Sequence, residues 1–117
     1  MIRLFEGELK LMELLWQNEP VSAKELALQA AQAVGWNKNT TYTVLKKLVE
    51  KGAVKREEPG FMCTSLVGKA DVGRAETDSL IDRLYGGSRK AFFAAFLEDE
   101  RLSPQELKEL RDMIEKR

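Results

Sequence analysis

The sequence predicts a mainly α-helical protein with a small β-wing. A winged helix-turn-helix DNA-binding domain is expected over residues 1–68, and a helical dimerisation region over residues 69–117. Three observations lead there. Val21 to Leu66 reads as helix, turn, basic helix and a short strand pair. From Asn37 to Arg56 there are six bases and one acid, in a chain whose net charge is zero. After Gly68 come three short helical patterns whose apolar stripes need a surface to cover them.

Along the chain, Phe5, Leu9, Met12, Leu15 and Trp16 recur at helical spacing, and Asn18-Glu19-Pro20 ends that helix near Gln17. Trp16 reads as a core anchor. Ser22-Ala23-Lys24-Glu25 is a capping box, with the serine satisfying a free N–H and the glutamate reaching back. Leu26, Ala27 and Ala30 form the inner face of the second helix, and Gly35 stops it. Asn37 caps the third helix. At about 100° per residue, Thr41, Leu45, Leu48 and Val49 fall on one side. Asn39, Thr40, Thr43, Lys46, Lys47 and Glu50 fall on the other. Gly52 closes the helix. Ala53–Glu57 and Phe61–Leu66 are expected as the two wing strands, joined through Glu58-Pro59-Gly60. Lys69 to about Tyr85 is a helix broken by Gly86-Gly87. Ser88 caps the next, which carries the apolar Phe92, Phe93, Phe96 and Leu97. Ser103-Pro104-Gln105-Glu106 launches the last, with Leu107, Leu110 and Ile114 on one face.

Composition removes several function classes. The 117 residues allow one or two small domains, and 44% hydrophobic content is enough for a core. A chain so short gains from pairing with a second copy. No apolar run approaches the ~20 residues that cross a bilayer. The N-terminus carries Glu6, Glu8 and Glu13 and has no signal-peptide pattern, so a cytoplasmic location is expected. There is no histidine and one cysteine, Cys63, which reads as a buried structural thiol. With no GxSxG, P-loop or GxGxxG motif, neither an enzyme nor a metal or cofactor site is expected.

The local base excess is the electrostatic footprint of phosphate attraction. Lys38, Asn39, Thr40, Tyr42, Thr43, Lys46 and Lys47 are the candidate DNA contacts on the third helix, and Lys55 and Arg56 those on the wing. Small hydroxyl and amide side chains suit base edges, whereas the lysines suit phosphates. The wing tip carries Glu57 and Glu58, which repel phosphate. Two other readings stay open. One is a winged-helix protein-interaction module. The other is a regulator with an apolar small-molecule pocket near Phe92, Phe93 and Phe96.

The chain resembles the penicillinase-repressor family over nearly its whole length. The residues that carry the likeness are Glu8–Trp16 (ELKLMELLW), Val21–Leu26 and Asn39–Arg56 (NTTYTVLKKLVEKGAVKR). The most specific pieces are Leu84-Tyr85-Gly86-Gly87 and Leu102–Ile114 (LSPQELKELRDMI). The resemblance implies a homodimeric repressor on a palindromic operator, with Asn39, Tyr42 and Thr43 toward the groove. The family commonly has a basic residue where Asn39 or Tyr42 stands here. Leu80, Leu84, Phe92, Phe93, Phe96, Leu97, Leu107, Leu110 and Ile114 are the expected dimerisation residues. In the antibiotic-responsive branch a regulatory protease cuts an Asn-Phe bond in the helix after the two glycines. The matching pair here is Ala95-Phe96, with the phenylalanine kept and the asparagine replaced. The copper-responsive branch binds metal through a C-terminal cysteine run, which this chain lacks.

Overall fold

The computed structural model describes residues 3–117. Its element order is α1 (Glu6–Asn18), β1 (Val21–Ser22), α2 (Ala23–Ala33), α3 (Lys38–Glu50), β2 (Val54–Glu57), β3 (Met62–Ser65), α4 (Lys69–Leu84), α5 (Arg89–Leu97) and α6 (Pro104–Glu115). Tertiary contacts divide the chain into two compact units, one through Ala75 and one from Glu76 to Arg117. The division falls inside α4, seven residues after the boundary at 68 expected from sequence. Val72, in the second turn of α4, is the cause: it is buried with the core of the first unit.

That core is assembled from the apolar stripes of α1, α2 and α3. Leu11, Met12 and Leu15 meet Leu26, Ala30, Leu45 and Leu48, all essentially inaccessible to water. Spacings of three and four residues put each set on one helix face. Trp16 is half-buried against this core, and its indole N–H donates to the Val67 carbonyl at 3.0 Å. The tryptophan is therefore both an anchor and a tie to the segment entering α4.

The sheet has three antiparallel strands in the order β1-β3-β2. Only two strands are expected from sequence, and β2 and β3 are shorter than expected by one and two residues. The missed strand, β1, is only Val21–Ser22, paired with Cys63 and Met62. Two residues carry no alternation that a pattern can register. The same pairing makes Ser22 end a strand and cap α2 at once, through its Oγ accepting from Glu25 N–H at 3.1 Å. Half of the expected capping box is formed; no return bond from the Glu25 side chain is seen among the described residues. Cys63 is fully buried in β3, and burial pushes its thiol above its ordinary pKa against a smaller opposing pull from Arg56.

In the second unit, α4 ends at Leu84 and the chain turns through Gly86 and Gly87, with φ of 57° and 81°. Two successive left-handed residues require glycine. Ser88 Oγ then accepts from Ala91 N–H at 3.0 Å to start α5. Ser103 and Glu106 form both halves of the capping box of α6, at 3.1 Å each. Tyr85 meets Phe92 edge to face, with ring centroids 5.5 Å apart, and Phe96 stacks on Phe92 at 6.2 Å.

Candidate nucleic-acid interface

The third helix begins where Asn37 Oδ1 accepts from Thr40 N–H at 2.8 Å. That bond compensates for a first turn that is poor in strong helix formers. Thr41 is wholly buried, and its hydroxyl returns to the Asn37 carbonyl at 3.4 Å. With Thr41, Leu45 and Leu48 fixed in the core, helical geometry turns the remaining side chains outward. Lys38, Asn39, Thr40, Thr43, Lys46, Lys47 and Glu50 are all exposed. Tyr42 is half-buried, with the Lys38 ammonium 5.6 Å from its ring centroid. Asn39, Thr40, Thr43, Lys46 and Lys47 therefore share the outer face of α3, while Lys38 and Tyr42 lie toward α2. Hydroxyls and an amide stand at the N-terminal end of that outer face, and lysines farther along.

The wing candidates are arranged differently. Side chains alternate across a strand, so Lys55 and Arg56 leave β2 on opposite faces. Lys55 pairs with Glu57 on its own face at 3.3 Å. Arg56 lies over the Phe61 ring, 5.1 Å from the centroid. Phe61 itself has φ of 51° and is half exposed. The acidic tip residues Glu57 and Glu58 are exposed.

A further base counted in the stripe is committed elsewhere. Lys51, the C-cap of α3, points toward α1, where its ammonium meets the buried Glu8 carboxylate at 2.6 Å. The same ammonium donates to the Arg3 carbonyl at 3.0 Å and lies 4.3 Å from the centroid of the Phe5 ring. Glu8 also accepts from Phe5 N–H at 2.7 Å, reaching back to the start of its own helix. Burial alone would raise the Glu8 pKa. The Lys51 and Phe5 hydrogen bonds, with the positive charges of Lys51 and Lys47, outweigh it and hold the carboxyl below its ordinary range. Sequence reading missed this pair because its partners lie far apart in the chain. The pair joins the C-terminal end of α3 to the first turn of α1.

In the second unit, Leu84, Phe93, Phe96, Leu97 and Ile114 are exposed. Leu80, Phe92, Leu107 and Leu110 are half-buried. Phe93, Phe96, Leu97, Leu110 and Ile114 share the walls of an apolar depression of about 200 Å³. Met113, exposed on the same wall, belongs with them but was not singled out from the sequence. Ala95 and Phe96 both sit exposed within α5. Among the described residues, no group of carboxylates, cysteine and histidine is placed to hold a metal ion. No helix among them is long and apolar enough to cross a membrane.

The family model described as penicillinase repressor matches residues 5–116. The penicillinase repressor of Bacillus licheniformis is 26% identical over 115 residues, which cover 97% of this chain and 90% of that one. The methicillin resistance regulatory protein MecI of Staphylococcus aureus strain N315 is 27% identical over 113 residues, covering 95% and 92%. Among solved structures, the DNA-binding domain of the repressor BlaI superposes with a TM-score of 0.56 at 24% identity, covering 60% of this chain and 88% of that one. The Bacillus licheniformis BlaI monomeric form in complex with the blaP half-operator gives 0.55 at 24% identity, covering 61% and 90%. At that identity the structural likeness speaks for the fold.

Proposed function

Because this chain belongs to the penicillinase repressor family, we propose that it is a sequence-specific transcriptional repressor that binds a palindromic operator as a homodimer. The family is one of transcriptional repressors and not of enzymes. The observation that carries the reading is the outer face of α3, where Asn39, Thr40, Thr43, Lys46 and Lys47 all meet solvent. An α-helix fits the major groove. Thr43 and Asn39 lie where base edges are met, and Lys46 and Lys47 where phosphates are met. Lys38 and Tyr42 flank the same face, and Arg56 adds a wing contact. Lys55, already facing Glu57, contributes less than its position in sequence suggests.

The apolar wall of α5 and α6 supports the second half of the proposal. A two-fold pair covers such a face and presents two copies of α3 to successive half-sites. The BlaI structure named above is that of a monomeric form on a half-operator, so one winged-helix unit per half-site is the unit of recognition proposed here. Release from DNA is a separate step. A regulatory protease acting at Ala95-Phe96 would separate α6 from the rest of the chain and break the paired face. Alanine in place of the asparagine of the antibiotic-responsive branch weighs against that route.

A mobility shift on the DNA upstream of the gene tests the reading. Binding should weaken steeply with salt, through release of counterions. Lys46→Ala and Lys47→Ala should each lower the log–log salt slope by about one and weaken all sequences alike. Thr43→Ala should leave the slope unchanged and relax sequence choice by about 1–3 kcal/mol. Equal losses on every sequence for Thr43→Ala would remove it from base recognition. The exposed acids of the wing tip favour a second reading, a protein-interaction module. Binding without salt dependence or sequence preference would select that one.

A further inference from the structure

We infer that the winged-helix unit holds a binding pocket for an aromatic carboxylate, in the crevice between α2 and the start of α3, and that filling it displaces DNA. The effect on DNA rests on the repressor reading above; the binding does not.

The crevice has a volume of about 210 Å³. Its α2 side comes from residues 24, 27, 28 and 31, which share one helix face. Ala27 and Ala31 are small and leave the space open. Leu28 is 55% exposed, a large apolar side chain facing water in a helix whose other leucine is fully buried. The opposite wall is aromatic, made by Trp36 and Tyr42. Trp36 is held from behind by α1. A Cβ added at Gly7 would lie 3.5 Å from its ring, so Gly7 is where the indole approaches the α1 backbone. The pocket is therefore formed before any ligand arrives, which limits the entropy lost on binding.

The charge at the rim selects the ligand. Lys24 and Lys38 both line the crevice, and no carboxylate does. Neither ammonium is in an ion pair among the described residues. A flat apolar body fits between the indole, the phenol and Leu28, and a single carboxylate accepts charge-assisted hydrogen bonds from the lysines. A cation is repelled, and a neutral arene gains nothing from the two exposed ammoniums. The volume lies below the range of about 300–1,000 Å³ that holds drug-sized ligands. One ring or two fused rings is the size that fits. Lys38 and Tyr42 are also proposed DNA contacts, so an occupant neutralises one and screens the other.

The test uses the full chain and 2-naphthoate as probe, with neutral 2-naphthamide as control. In calorimetry without DNA, 2-naphthoate should bind, and the amide should bind at least about tenfold more weakly. Ala31→Leu fills the crevice with a good helix former at an exposed position outside the DNA-contacting face. It should cut naphthoate affinity at least about tenfold while keeping the circular dichroism and melting curve of the parent. In a mobility shift, 2-naphthoate should release DNA from the parent and not from Ala31→Leu. No heat of binding, equal affinity for the amide, or unchanged affinity in a folded Ala31→Leu protein would overturn the pocket. Naphthoate binding that leaves the DNA complex intact would overturn the displacement. A chain that binds no DNA even without naphthoate overturns the repressor reading and the displacement together, and calorimetry still decides the pocket.

Discussion

Lys51→Met should destabilise the protein by about 3 kcal/mol at neutral pH, the scale for a buried ion pair that loses one partner. Glu8 is only 4% exposed, so its carboxylate has little water to turn to once the ammonium is gone. Methionine keeps most of the apolar stem of lysine, which separates the loss of charge from the loss of packing. One Glu8 oxygen, Oε1, takes both the Lys51 and the Phe5 hydrogen bonds, while Oε2 is buried with no partner among the described residues. The carboxylate is thus held by one side, and removing Lys51 leaves it with Phe5 N–H alone. The double variant Glu8→Gln with Lys51→Met should recover most of the loss, because an uncharged amide can still accept from Phe5 N–H. Chemical denaturation of the four proteins in the cycle measures the coupling. A coupling near zero would show that the pair does not hold α3 to α1.

The same pair sets an acid limit. The Glu8 pKa is lowered in the folded chain. Its contribution is complete above the ordinary glutamate value of about 4.3 and is lost as pH falls below that toward the folded value. The gap between parent and Lys51→Met should therefore be widest near neutrality and narrow in acid. A gap that widened in acid would contradict the assignment.

Phe96→Glu should abolish pairing of the chain and reduce affinity for a full palindrome by about a hundredfold or more. The loss is that of the effective concentration that tethering two DNA-binding units provides. Phe96 is 44% exposed on the apolar wall, and the new charge would be buried there if two copies met. Affinity for a single half-site should be unchanged, since α3 lies in the other unit. Sedimentation with and without DNA, alongside half-site and full-site titrations, separates the two effects. A variant that still sediments as a dimer would move the pairing surface elsewhere, and equal loss on the half-site would point to misfolding.

Much of the fold was legible because its determinants are local. The Asn37 and Ser103 caps, the Gly52 stop and the double-glycine break each act within a few residues, and the structure realises each of them. The inner and outer faces of α3 follow from periodicity alone. What escaped depends on distance in the chain. The Glu8–Lys51 pair, the Glu19 carboxylate accepting from Ser65 N–H at 2.7 Å and the two-residue β1 strand all join segments that no local pattern connects. Lys55 and Arg56 were adjacent in sequence and so were assigned together, but the pleat separates them. The α2–α3 crevice escaped for a further reason. Lys24, Leu28 and Trp36 each have an ordinary reading, and only their arrangement in space makes a concave wall.

The sealed environment of Cys63 has a practical consequence. Alkylating reagents and peroxide react with a thiolate that they can reach. In the native fold this sulfur is protonated and shut away in the core, on the strand between β1 and β2. Such reagents attack only molecules in which the ribbon has come apart. Labelling of this solitary sulfur therefore counts the moments at which the winged unit breathes, and a cell's oxidants leave the intact form untouched.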